Sequence, residues 1–478
     1  MCEVSIQGVE STRIKRLRER FAAQDQEHVF QFWDDLDAAS REQLLEQAEA
    51  IDLPGLLRGF EAALRAQDGS RRLEPVRVEA LPESGGNSIQ WQTALERGEA
   101  LLADGRVAVM VVAGGQGTRL ACDGPKGAYP LGPITGRTLF EQQAQKIRRL
   151  RRRCGQPVPW YVMTSNATDA ATRDCFARAG HFGLPPEDIF FLCQGMVPSL
   201  DLAGKLILAA PDRIFENPNG HGGSLLALQD SGALDDMARR GIDTIFYYQV
   251  DNPLTRIGSP TFLGFHAQAA AQVSCKVLRK RDPAEHVGVV ARVDGRVGVV
   301  EYTEIGDADR NARDASGELV YWAGNMAVHV FSSDFVRHVA ARAESVLPYH
   351  VSLKKIPRLD ERGRKRIPDA PNAYKLERFV FDALAAAERV CVVEARRSEE
   401  YAPLKNATGA DSPATARREL SAQYRAWLEA AGVEPPPPAC IIEIDQSVLD
   451  GPEDVRALGI RRVEDAAEII RTAPGDEA

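Results

Sequence analysis

The sequence predicts an α/β protein whose core is a mostly parallel, doubly wound sheet, with a helical region before the sheet and a small domain after it. Short apolar runs rich in β-branched residues alternate with amphipathic helical stretches between residues 107 and 394. This alternation is typical of parallel strands covered by helices on both faces. Polar or glycine-rich segments directly follow several of these runs. Because ligands bind beyond the carboxyl ends of the strands in such sheets, these segments are the first candidates for a functional site.

The composition argues against several classes of function. The chain has 478 residues and a formal net charge of -9, whereas nucleic-acid-binding proteins usually present a basic face. Its eight cysteines are scattered without a Cys-x-x-Cys pair, which indicates free thiols and a cytoplasmic location rather than a zinc site or a disulfide framework. The N-terminal residues are polar and charged, and no apolar run reaches about 18 residues, so we expect neither a signal peptide nor a membrane span.

Residues 1–104 are predicted to form a helical region without evident chemistry. Apolar residues recur at helical spacing around Trp33 and around Phe60, and another helix is predicted over 91–103. Pro54 suits the first turn of the helix around Phe60. We expect these helices to form a packing layer or a partner surface.

The first predicted strand, 107–112, has six apolar residues and leads into the glycine-rich loop AGGQGTRL at 113–120. Three glycines within four positions of this loop allow a sharp turn and let backbone amides approach phosphate oxygens. Arg119 and Lys126 bring positive charge to the same place. The pattern therefore favours a nucleoside triphosphate site, with an ordinary strand-to-helix turn as the alternative.

Two familiar phosphate-binding motifs do not fit this loop. A dinucleotide fingerprint needs a third glycine where this chain has Leu120. A P-loop needs Gly-Lys followed by Ser or Thr, whereas Lys126 lies between Pro125 and Gly127.

The remainder of the central domain, 105–395, continues the alternation of strands and helices. A helix is predicted after Thr138, whose spacing to Glu141 is that of a capping box. The Asp294-Gly295 pair between two apolar runs predicts a β-hairpin over 287–302. Further strands are predicted at 159–164, 189–192, 244–250, 326–331 and 390–394, and further helices at 169–179, 225–237 and 374–388.

Residues 396–478 are predicted to form a small C-terminal domain. The four prolines at 435–438 indicate a stiff, extended linker, and a strand-like segment follows at 440–444.

The glycine-rich loop and several later blocks together carry a family resemblance. The later blocks are QGMVP at 194–198, NGHGG at 219–223, VDN at 250–252, VVEY at 299–302, AGN at 323–325, FVFD at 379–382 and PLKN at 403–406. In their sequence and their order, these blocks resemble the UDP-sugar pyrophosphorylases, the eukaryotic-type uridylyltransferases, and within them the N-acetylglucosamine enzymes most. Because the blocks recur in family order over roughly residues 100 to 420, the resemblance is far more specific than any single motif.

The resemblance implies a Rossmann-like nucleotidyltransferase fold and a defined reaction. The expected partners are UTP and a sugar 1-phosphate, most often N-acetylglucosamine 1-phosphate, and the expected cofactor is Mg²⁺. The products would be a UDP-sugar and pyrophosphate. No membrane or nucleic-acid partner is implied, and the expected state is a monomer or a weak homo-oligomer.

The resemblance also implies roles for individual residues. The expected catalytic residues are Arg119, Lys126, Asp251 and Lys405, with Asp251 also holding the metal. The expected UTP-binding residues are Ala113, Gly114, Gly115, Lys126, Gln194, Gly220 and Asp251, with Gln194 contacting the uracil. The expected sugar-binding residues are His221, Glu301, Asn325, Phe379 and Phe381.

Five of these assignments have a structural alternative. Lys126 could be a solvated surface lysine, and Gln194 a loop glutamine bonded to backbone. Asp251 follows a strongly apolar strand, where a carboxylate can hold Mg²⁺ but can equally cap a helix. Phe379 and Phe381 are more often core residues. On the predicted helix 374–388, Phe379 shares an apolar face with its neighbours, which makes Phe381 the better pocket candidate.

One departure from the pattern bears on the choice of sugar. The N-acetylglucosamine enzymes usually have Asn where this chain has His221, and histidine there resembles the UDP-glucose pyrophosphorylases. Glucose 1-phosphate or a broad range of sugars is therefore the alternative substrate. A non-catalytic UDP-sugar-binding regulator is a second hypothesis, against which the intact charged residues argue. A nicotinamide-dependent oxidoreductase is a third, against which the missing third glycine argues. His329 is interpreted as a structural histidine.

Overall fold

The computed structural model describes residues 2–66, 71–120, 122–463 and 469–471. The chain groups into two compact units. The first unit combines Met1–Ser70, Gly195–Ser224 and Arg342–Asp382, and the second combines Arg71–Gln194, Leu225–Ala341 and Ala383–Ala478. The three-part division at residues 104 and 395 stays a prediction, and the two units follow other boundaries.

The helices and strands follow the chain in this order. The α-helices are α1 Cys2–Ala22, α2 Ala38–Ala50, α3 Leu53–Ala66, α4 Ser88–Ala103, α5 Leu139–Cys154, α6 Asp169–Arg178, α7 Gly223–Asp230, α8 Ala233–Arg239, α9 Pro260–Gln268, α10 Asp307–Arg310, α11 Ser333–Ala341, α12 Ala343–Val346, α13 Ala383–Ala386, α14 Arg397–Glu400, α15 Pro413–Ala431 and α16 Pro452–Ala457. The strands are β1 Leu73–Pro75, β2 Val107–Val112, β3 Trp160–Thr164, β4 Ile189–Cys193, β5 Met196–Pro198, β6 Leu200–Asp201, β7 Leu208–Ala210, β8 Arg213–Ile214, β9 Glu216–Pro218, β10 Thr244–Gln249, β11 Val273–Arg279, β12 Val289–Val293, β13 Arg296–Val300, β14 Ala323–Ser332, β15 Tyr349–Lys354, β16 Arg358–Leu359, β17 Lys365–Arg366, β18 Ala373–Arg378, β19 Val390–Glu394, β20 Ile442–Ile444 and β21 Ile469–Arg471.

The second unit is organised around a ten-stranded mixed sheet. Strands β10, β2, β3 and β4 lie side by side and parallel. The long strand β14 runs antiparallel to β10, and β11 and β19 continue beyond it as a parallel pair. The carboxyl ends of the four parallel strands β10, β2, β3 and β4 therefore lie along one edge of the sheet, whereas that of β14 lies on the opposite side.

One large buried cluster joins this sheet to several of its helices. Apolar side chains of β2, β3, β10 and β14 pack with those of α4, α5, α6 and α9. The predicted helix after Thr138 is confirmed as α5, and the Thr138 side chain accepts a hydrogen bond from the Glu141 amide. The predicted hairpin is also confirmed, because Asp294 and Gly295 both have positive φ between β12 and β13.

The predicted helix over 374–388 is wrong. Its first half is strand β18, which pairs antiparallel with β15 over Tyr349–Lys354 and with β6. Its second half is a short 3₁₀ turn and the four-residue helix α13. The segment contains good helix formers, but pairing with a strand about 20 residues earlier decides the structure. The predicted helix 225–237 is interrupted, because Gly232 with φ 76° separates α7 from α8.

The first unit contains the N-terminal helices. Leu44, Leu56 and Phe60 of α2 and α3 pack into a buried cluster with Leu200 and Leu376 of the small sheet formed by β15, β18 and β6. Helix α3 includes Pro54 in its first turn, as predicted.

The C-terminal segment forms a separate core within the second unit. Apolar residues of α15, α16 and β20 pack together, and Leu131 and Leu139 join the same cluster. Glu443 of β20 accepts hydrogen bonds from the backbone amides of Ile134 and Thr135 at 2.7 and 2.8 Å. No helix within the described residues combines the length and apolarity that crossing a membrane requires.

Candidate active site

Three of the predicted nucleotide-binding segments begin where parallel strands end. The glycine-rich loop follows β2, Gln194 follows β4, and Asp251 lies two residues beyond β10. Backbone bonds hold these ends in register, because Ala113 donates to the Met163 carbonyl at 2.8 Å and Gln194 to that of Thr164 at 3.0 Å. The segments therefore meet along one edge of the sheet, as expected for a ligand site in this class of fold.

Gly114 and Gln194 lie in direct contact. A Cβ added at Gly114 would lie 2.6 Å from the Gln194 side-chain nitrogen, so only glycine fits here without moving the amide. The Ser165 hydroxyl donates to the Gly114 carbonyl at 2.8 Å and fixes the loop from the β3 side. At Gly115 an added Cβ would meet nothing within 4 Å, which leaves its backbone open to a ligand.

Lys126 is tied to the same loop and reaches the end of β10. Its backbone amide donates to the Gly115 carbonyl at 3.0 Å, and its ammonium group lies 2.9 Å from a carboxylate oxygen of Asp251. The next residue, Gly127, packs so closely on Phe140 that a Cβ would lie 2.2 Å from the ring. This packing fixes the backbone beside Lys126, because the buried ring of Phe140 lies in the core of the sheet.

Lys405 completes this group of charges. The backbone amide of Leu404 donates to the Asp251 carbonyl at 2.9 Å, which brings the PLKN segment beside β10. Burial opposes the charge on Lys405, but the Tyr401 hydroxyl and the carboxylates of Asp251 and Asp411 raise its pKa. The lysine therefore stays a cation. Arg119 is exposed on the 3₁₀ turn Thr118–Leu120, and its contact with a phosphate stays a prediction.

Glu301 and Asn325 meet around Gly288. The backbone amide of Asn325 donates to the Gly288 carbonyl at 2.8 Å, and a Cβ at Gly288 would lie 3.3 Å from a Glu301 carboxylate oxygen. Tyr247 of β10 pairs with His329 of β14. The pairing of β10 with β14 ends at this pair, and Ala327, with φ 55°, lies between His329 and Asn325.

The other predicted sugar-binding residues form an aromatic cluster in the first unit. The rings of His221 and Phe379 stack with centroids 5.1 Å apart, and Phe381 lies 5.5 Å from His221. Gly220 sits directly on the backbone of this cluster, where a Cβ would lie 2.5 Å from the Arg378 carbonyl. Phe381 is buried and Phe379 is half-buried. Neither lies on the predicted helix, so a shared helix face gives no reason to prefer Phe381.

The His221 ring has a defined protonation state. Its Nδ1 accepts a hydrogen bond from the Val380 amide at 3.0 Å, so the proton of the neutral ring is on Nε2. Burial, with a smaller contribution from nearby His350, lowers the pKa of His221 to about 4. At neutral pH this histidine is therefore an uncharged hydrogen-bond donor.

His350 is one residue of this cluster that the sequence did not indicate. Its ring stacks on Phe379 at 4.2 Å, and its Nε2 lies 2.9 Å from Asp382. Asp382 belongs to the FVFD block, which was a signal for one half of this pair. His350 lies about 30 residues earlier on β15, and only the pairing of β15 with β18 brings it close.

Comparison with known proteins identifies the family. Residues 57–411 match the sequence model of a family described as UTP–glucose-1-phosphate uridylyltransferase. The match covers well over half of the chain. The chain belongs to this uridylyltransferase family.

Individual relatives agree with the family assignment. A protein named UDP-N-acetylhexosamine pyrophosphorylase-like protein 1 from Xenopus tropicalis is 39% identical over 443 residues, which cover 89% of this chain and 86% of that one. The UDP-N-acetylglucosamine pyrophosphorylase of Saccharomyces cerevisiae is 34% identical over 435 residues, which cover 87% and 91%. The crystal structure of the uridine diphosphate N-acetylglucosamine pyrophosphorylase from Trypanosoma brucei in complex with an inhibitor superposes with a TM-score of 0.81 at 27% identity, covering 94% of this chain and 95% of that one. The predicted family resemblance and fold class are confirmed.

The predicted site residues do not line the large cavity of the second unit. A cavity of about 1090 Å³ in the second unit is lined mainly by α5, α15 and α16, including Arg149, Trp427 and Asp450. Among the described residues that line it, none is a predicted site residue. The site is recognised instead by the convergence of glycine backbone, cations and one carboxylate at the sheet edge.

Proposed function

We propose that this protein transfers the uridylyl group of UTP to N-acetylglucosamine 1-phosphate and releases pyrophosphate. The observation that carries the proposal is the Lys126–Asp251 pair at 2.9 Å, which lies between the glycine-rich loop and the end of β10. Relatives that share 33% to 35% identity over most of this chain are named as UDP-N-acetylglucosamine pyrophosphorylases or diphosphorylases, which supports the choice of reaction.

The reaction needs no general base. A phosphate oxygen of the sugar ester, already anionic at neutral pH, forms a bond to the α-phosphorus of UTP. The bond from that phosphorus to the bridging oxygen of the β-phosphate breaks, and pyrophosphate leaves with the electron pair. The main tasks of the protein are to align two anions and to stabilise the charge spread over the transferring group.

The residues at the sheet edge divide these tasks. Gln194 bonds the polar edge of uracil from its place against Gly114, while the amides of Gly114 and Gly115 turn towards the nucleotide. Ala113, whose own amide is bonded to the Met163 carbonyl, adjoins them in the UTP site. Lys126 and Lys405 neutralise the triphosphate, and Arg119 adds a further cation from the exposed turn. Such preorganised cations are worth far more in a site closed to water than in bulk solvent.

Asp251 is suited to hold Mg²⁺. Within the described residues there is no group of three or more His, Cys, Asp or Glu side chains arranged around a metal. This fits Mg²⁺ in such enzymes, because it is typically held by one or two carboxylates together with substrate phosphates. Bound there, Mg²⁺ would supply charge neutralisation on the triphosphate. Lys126, whose ammonium group lies 2.9 Å from the same carboxylate, orients the Asp251 side chain.

Each unit by itself offers candidate groups for the sugar, with different chemistry. Asn325 and Glu301 offer an amide and a carboxylate to sugar hydroxyls, and Phe379 and Phe381 offer apolar surface to an N-acetyl methyl group. His221 donates through Nε2 to a sugar oxygen. Since His221 replaces an amide that could both donate and accept, glucose 1-phosphate is the second candidate substrate.

A panel of sugar 1-phosphates tests this proposal. The purified protein is assayed for pyrophosphate release with UTP, Mg²⁺ and the 1-phosphates of N-acetylglucosamine, N-acetylgalactosamine and glucose, and the panel is repeated with His221→Asn. We expect the highest kcat/KM with N-acetylglucosamine 1-phosphate and a stronger preference for it in the variant. Preference for glucose 1-phosphate would move the assignment to the second candidate, and no turnover with any of them would refute it.

Two further features complete the proposal. A cytoplasmic location is supported by the scattered cysteines of the sequence, which contain no Cys-x-x-Cys pair. A monomer or weak homo-oligomer is the proposed state, and size-exclusion chromatography with light scattering measures it directly.

A further inference from the structure

Asn252, next to Asp251, holds a backbone segment distant in the sequence through both polar atoms of its side-chain amide. Its Nδ2 donates to the Glu400 carbonyl at 2.7 Å, and its Oδ1 accepts from the Ala402 amide at 3.0 Å. Asn252 is only 4% exposed, so water has little access to the partners of this amide. A buried side chain that satisfies two backbone groups about 150 residues away in the sequence is costly to remove.

The clamped segment is the one that carries Lys405. Beyond Ala402, the Leu404 amide donates to the Asp251 carbonyl at 2.9 Å, and the Lys405 amide donates to the Asp411 carbonyl at 2.7 Å. The ammonium group of Lys405 lies 3.5 Å from the Tyr401 hydroxyl. Asn252 and Asp251 therefore hold both sides of the turn from which Lys405 reaches the charged group at the sheet edge.

The same turn is anchored on its other side by a buried ion pair. The Glu400 carboxylate accepts from Lys276 at 2.7 Å, and both side chains are almost fully buried. Residue 400 is thus fixed through its side chain by β11 and through its carbonyl by Asn252. With residue 400 fixed, the Asn252 contacts decide where the following residues, 401–405, run.

The loop that carries Asn252 is itself held rigidly. The side-chain amide of Gln143 donates to the Val250 carbonyl at 2.9 Å, and Lys146 donates to the Thr255 carbonyl at 2.9 Å. Both donors are buried on α5. Because the loop that carries Asn252 and residue 400 are both held by buried hydrogen bonds, the two hydrogen bonds of Asn252 fix the position of residues 401–405 relative to Asp251.

We propose that Asn252 is a positioning residue which sets the location of Lys405 relative to Asp251. This inference rests on the proposed function only for its kinetic consequence, because the clamp itself is a property of the fold. Asn252 touches neither nucleotide nor sugar in this assignment; it acts through Lys405. Misplacing a catalytic group by about 1 Å can cost on the order of 100-fold in rate. Asn252→Ala is therefore expected to lower kcat by about 10-fold to 100-fold.

A double-mutant cycle separates positioning from general destabilisation. Pyrophosphate release is measured for wild type, Asn252→Ala, Lys405→Ala and the double variant, with thermal unfolding as a check on folding. If Asn252 acts through Lys405, its substitution lowers kcat by no more than about 3-fold once Lys405 is absent. Full multiplication of the two single effects would overturn the proposal. Should Asn252→Ala not fold, Asn252→Ser, whose shorter polar side chain cannot reach both backbone groups, takes its position in the cycle.

Asn372 provides a matched control. In the first unit its side-chain amide also makes two hydrogen bonds to backbone groups, donating to the Ile356 carbonyl at 3.0 Å and accepting from the Ile356 amide at 2.8 Å. Asn372→Ala removes two hydrogen bonds of the same type without touching Asp251 or Lys405. We expect it to change kcat by less than about 3-fold in either background, and a loss as large as that of Asn252→Ala would contradict a specific role.

A second readout does not depend on turnover. Acetic anhydride labelling followed by mass spectrometry reports the reactivity of Lys405, which is now half-buried. Loss of the clamp is expected to speed acetylation of Lys405 by at least about 3-fold in Asn252→Ala and not in Asn372→Ala. An unchanged labelling rate would refute the positioning role. Absence of pyrophosphate release by the wild-type protein would instead count against the proposed reaction alone.

Discussion

Substitution of Lys126 removes a side chain that contacts Asp251 and whose backbone is bonded to the glycine-rich loop. Lys126→Ala removes the ammonium group 2.9 Å from Asp251 while leaving the backbone bond between residue 126 and Gly115 in place. The variant therefore takes a cation away from the triphosphate and leaves the Asp251 carboxylate without this partner. Because Gly127 still packs on Phe140, the loop is expected to keep its path.

The size of the effect follows from the charge that Lys126 would bring to the triphosphate in a partly buried site. Two unit charges about 4 Å apart at an effective dielectric constant of about 20 interact by about 4 kcal/mol. Both side chains are partly exposed, at 17% and 25%, which reduces the loss towards about 3 kcal/mol. That free energy corresponds to a fall in kcat of about 100-fold to 1000-fold, similar to the loss of one oxyanion-hole donor.

The assay is continuous pyrophosphate release at saturating UTP, N-acetylglucosamine 1-phosphate and Mg²⁺. Lys205→Ala is the control, because Lys205 pairs with Asp25 at 2.5 Å in the first unit and belongs to no predicted site. We expect the control to retain activity within about 2-fold, as removal of an exposed ion pair does. Activity of Lys126→Ala within a few-fold of wild type would refute the role given to this lysine.

Three further substitutions probe the metal, the base pocket and the histidine. Asp251→Asn should abolish Mg²⁺-dependent turnover while UTP binding, measured by calorimetry, is largely kept; an unchanged dependence on Mg²⁺ would rule out Asp251 as its ligand. Gly114→Ala would place a methyl group 2.6 Å from the Gln194 amide, so we expect the KM for UTP to rise by about 10-fold, whereas Gly306→Ala, whose Cβ meets nothing within 4 Å, should leave it unchanged. Similar KM values for the two glycine variants would refute the contact with Gln194. Because the pKa of His221 is about 4 in the folded protein, below its ordinary value of 6.5, the unfolded chain takes up the proton first, and stability falls as the pH is lowered from 6.5 towards 4. His221→Asn should remove at most about 3 kcal/mol of that loss, as measured by urea unfolding at pH 7.5 and 4.5, and equal losses in the two proteins would show that the pKa of His221 is not lowered in the folded protein.

The sequence was a good guide where local pattern and fold agree. The apolar run at Val107–Val112 could only be a buried strand or helix, and the glycines after it favoured the strand. The Asp294-Gly295 turn fixed the hairpin because few residue pairs adopt positive φ at both positions. The ends of β2, β4 and β10 meet because parallel strands must align, which is why Gly114, Gln194 and Asp251 could be grouped in advance.

Long-range contacts set the limit of this prediction. Strand β18 consists of residues with helical preference, and its partner β15 lies outside any local window, so the error over 374–388 followed directly. His350 and Asn252 act through partners about 30 and 150 residues away in the sequence. Ala327, with φ 55° beside Asn325, marks an irregularity in β14 that no local pattern indicates. The sequence does not show which long-range hydrogen bonds hold the backbone around the site, and these bonds position the catalytic groups.

The most direct test of the proposed site is a crystal structure of the protein with a non-hydrolysable UTP analogue and Mg²⁺. We expect the uracil against Gln194, the phosphates over Gly115, and Lys126 and Asp251 on the same triphosphate, with the metal on Asp251. A nucleotide bound elsewhere, or one whose phosphates lie out of reach of both Lys126 and Asp251, would contradict it.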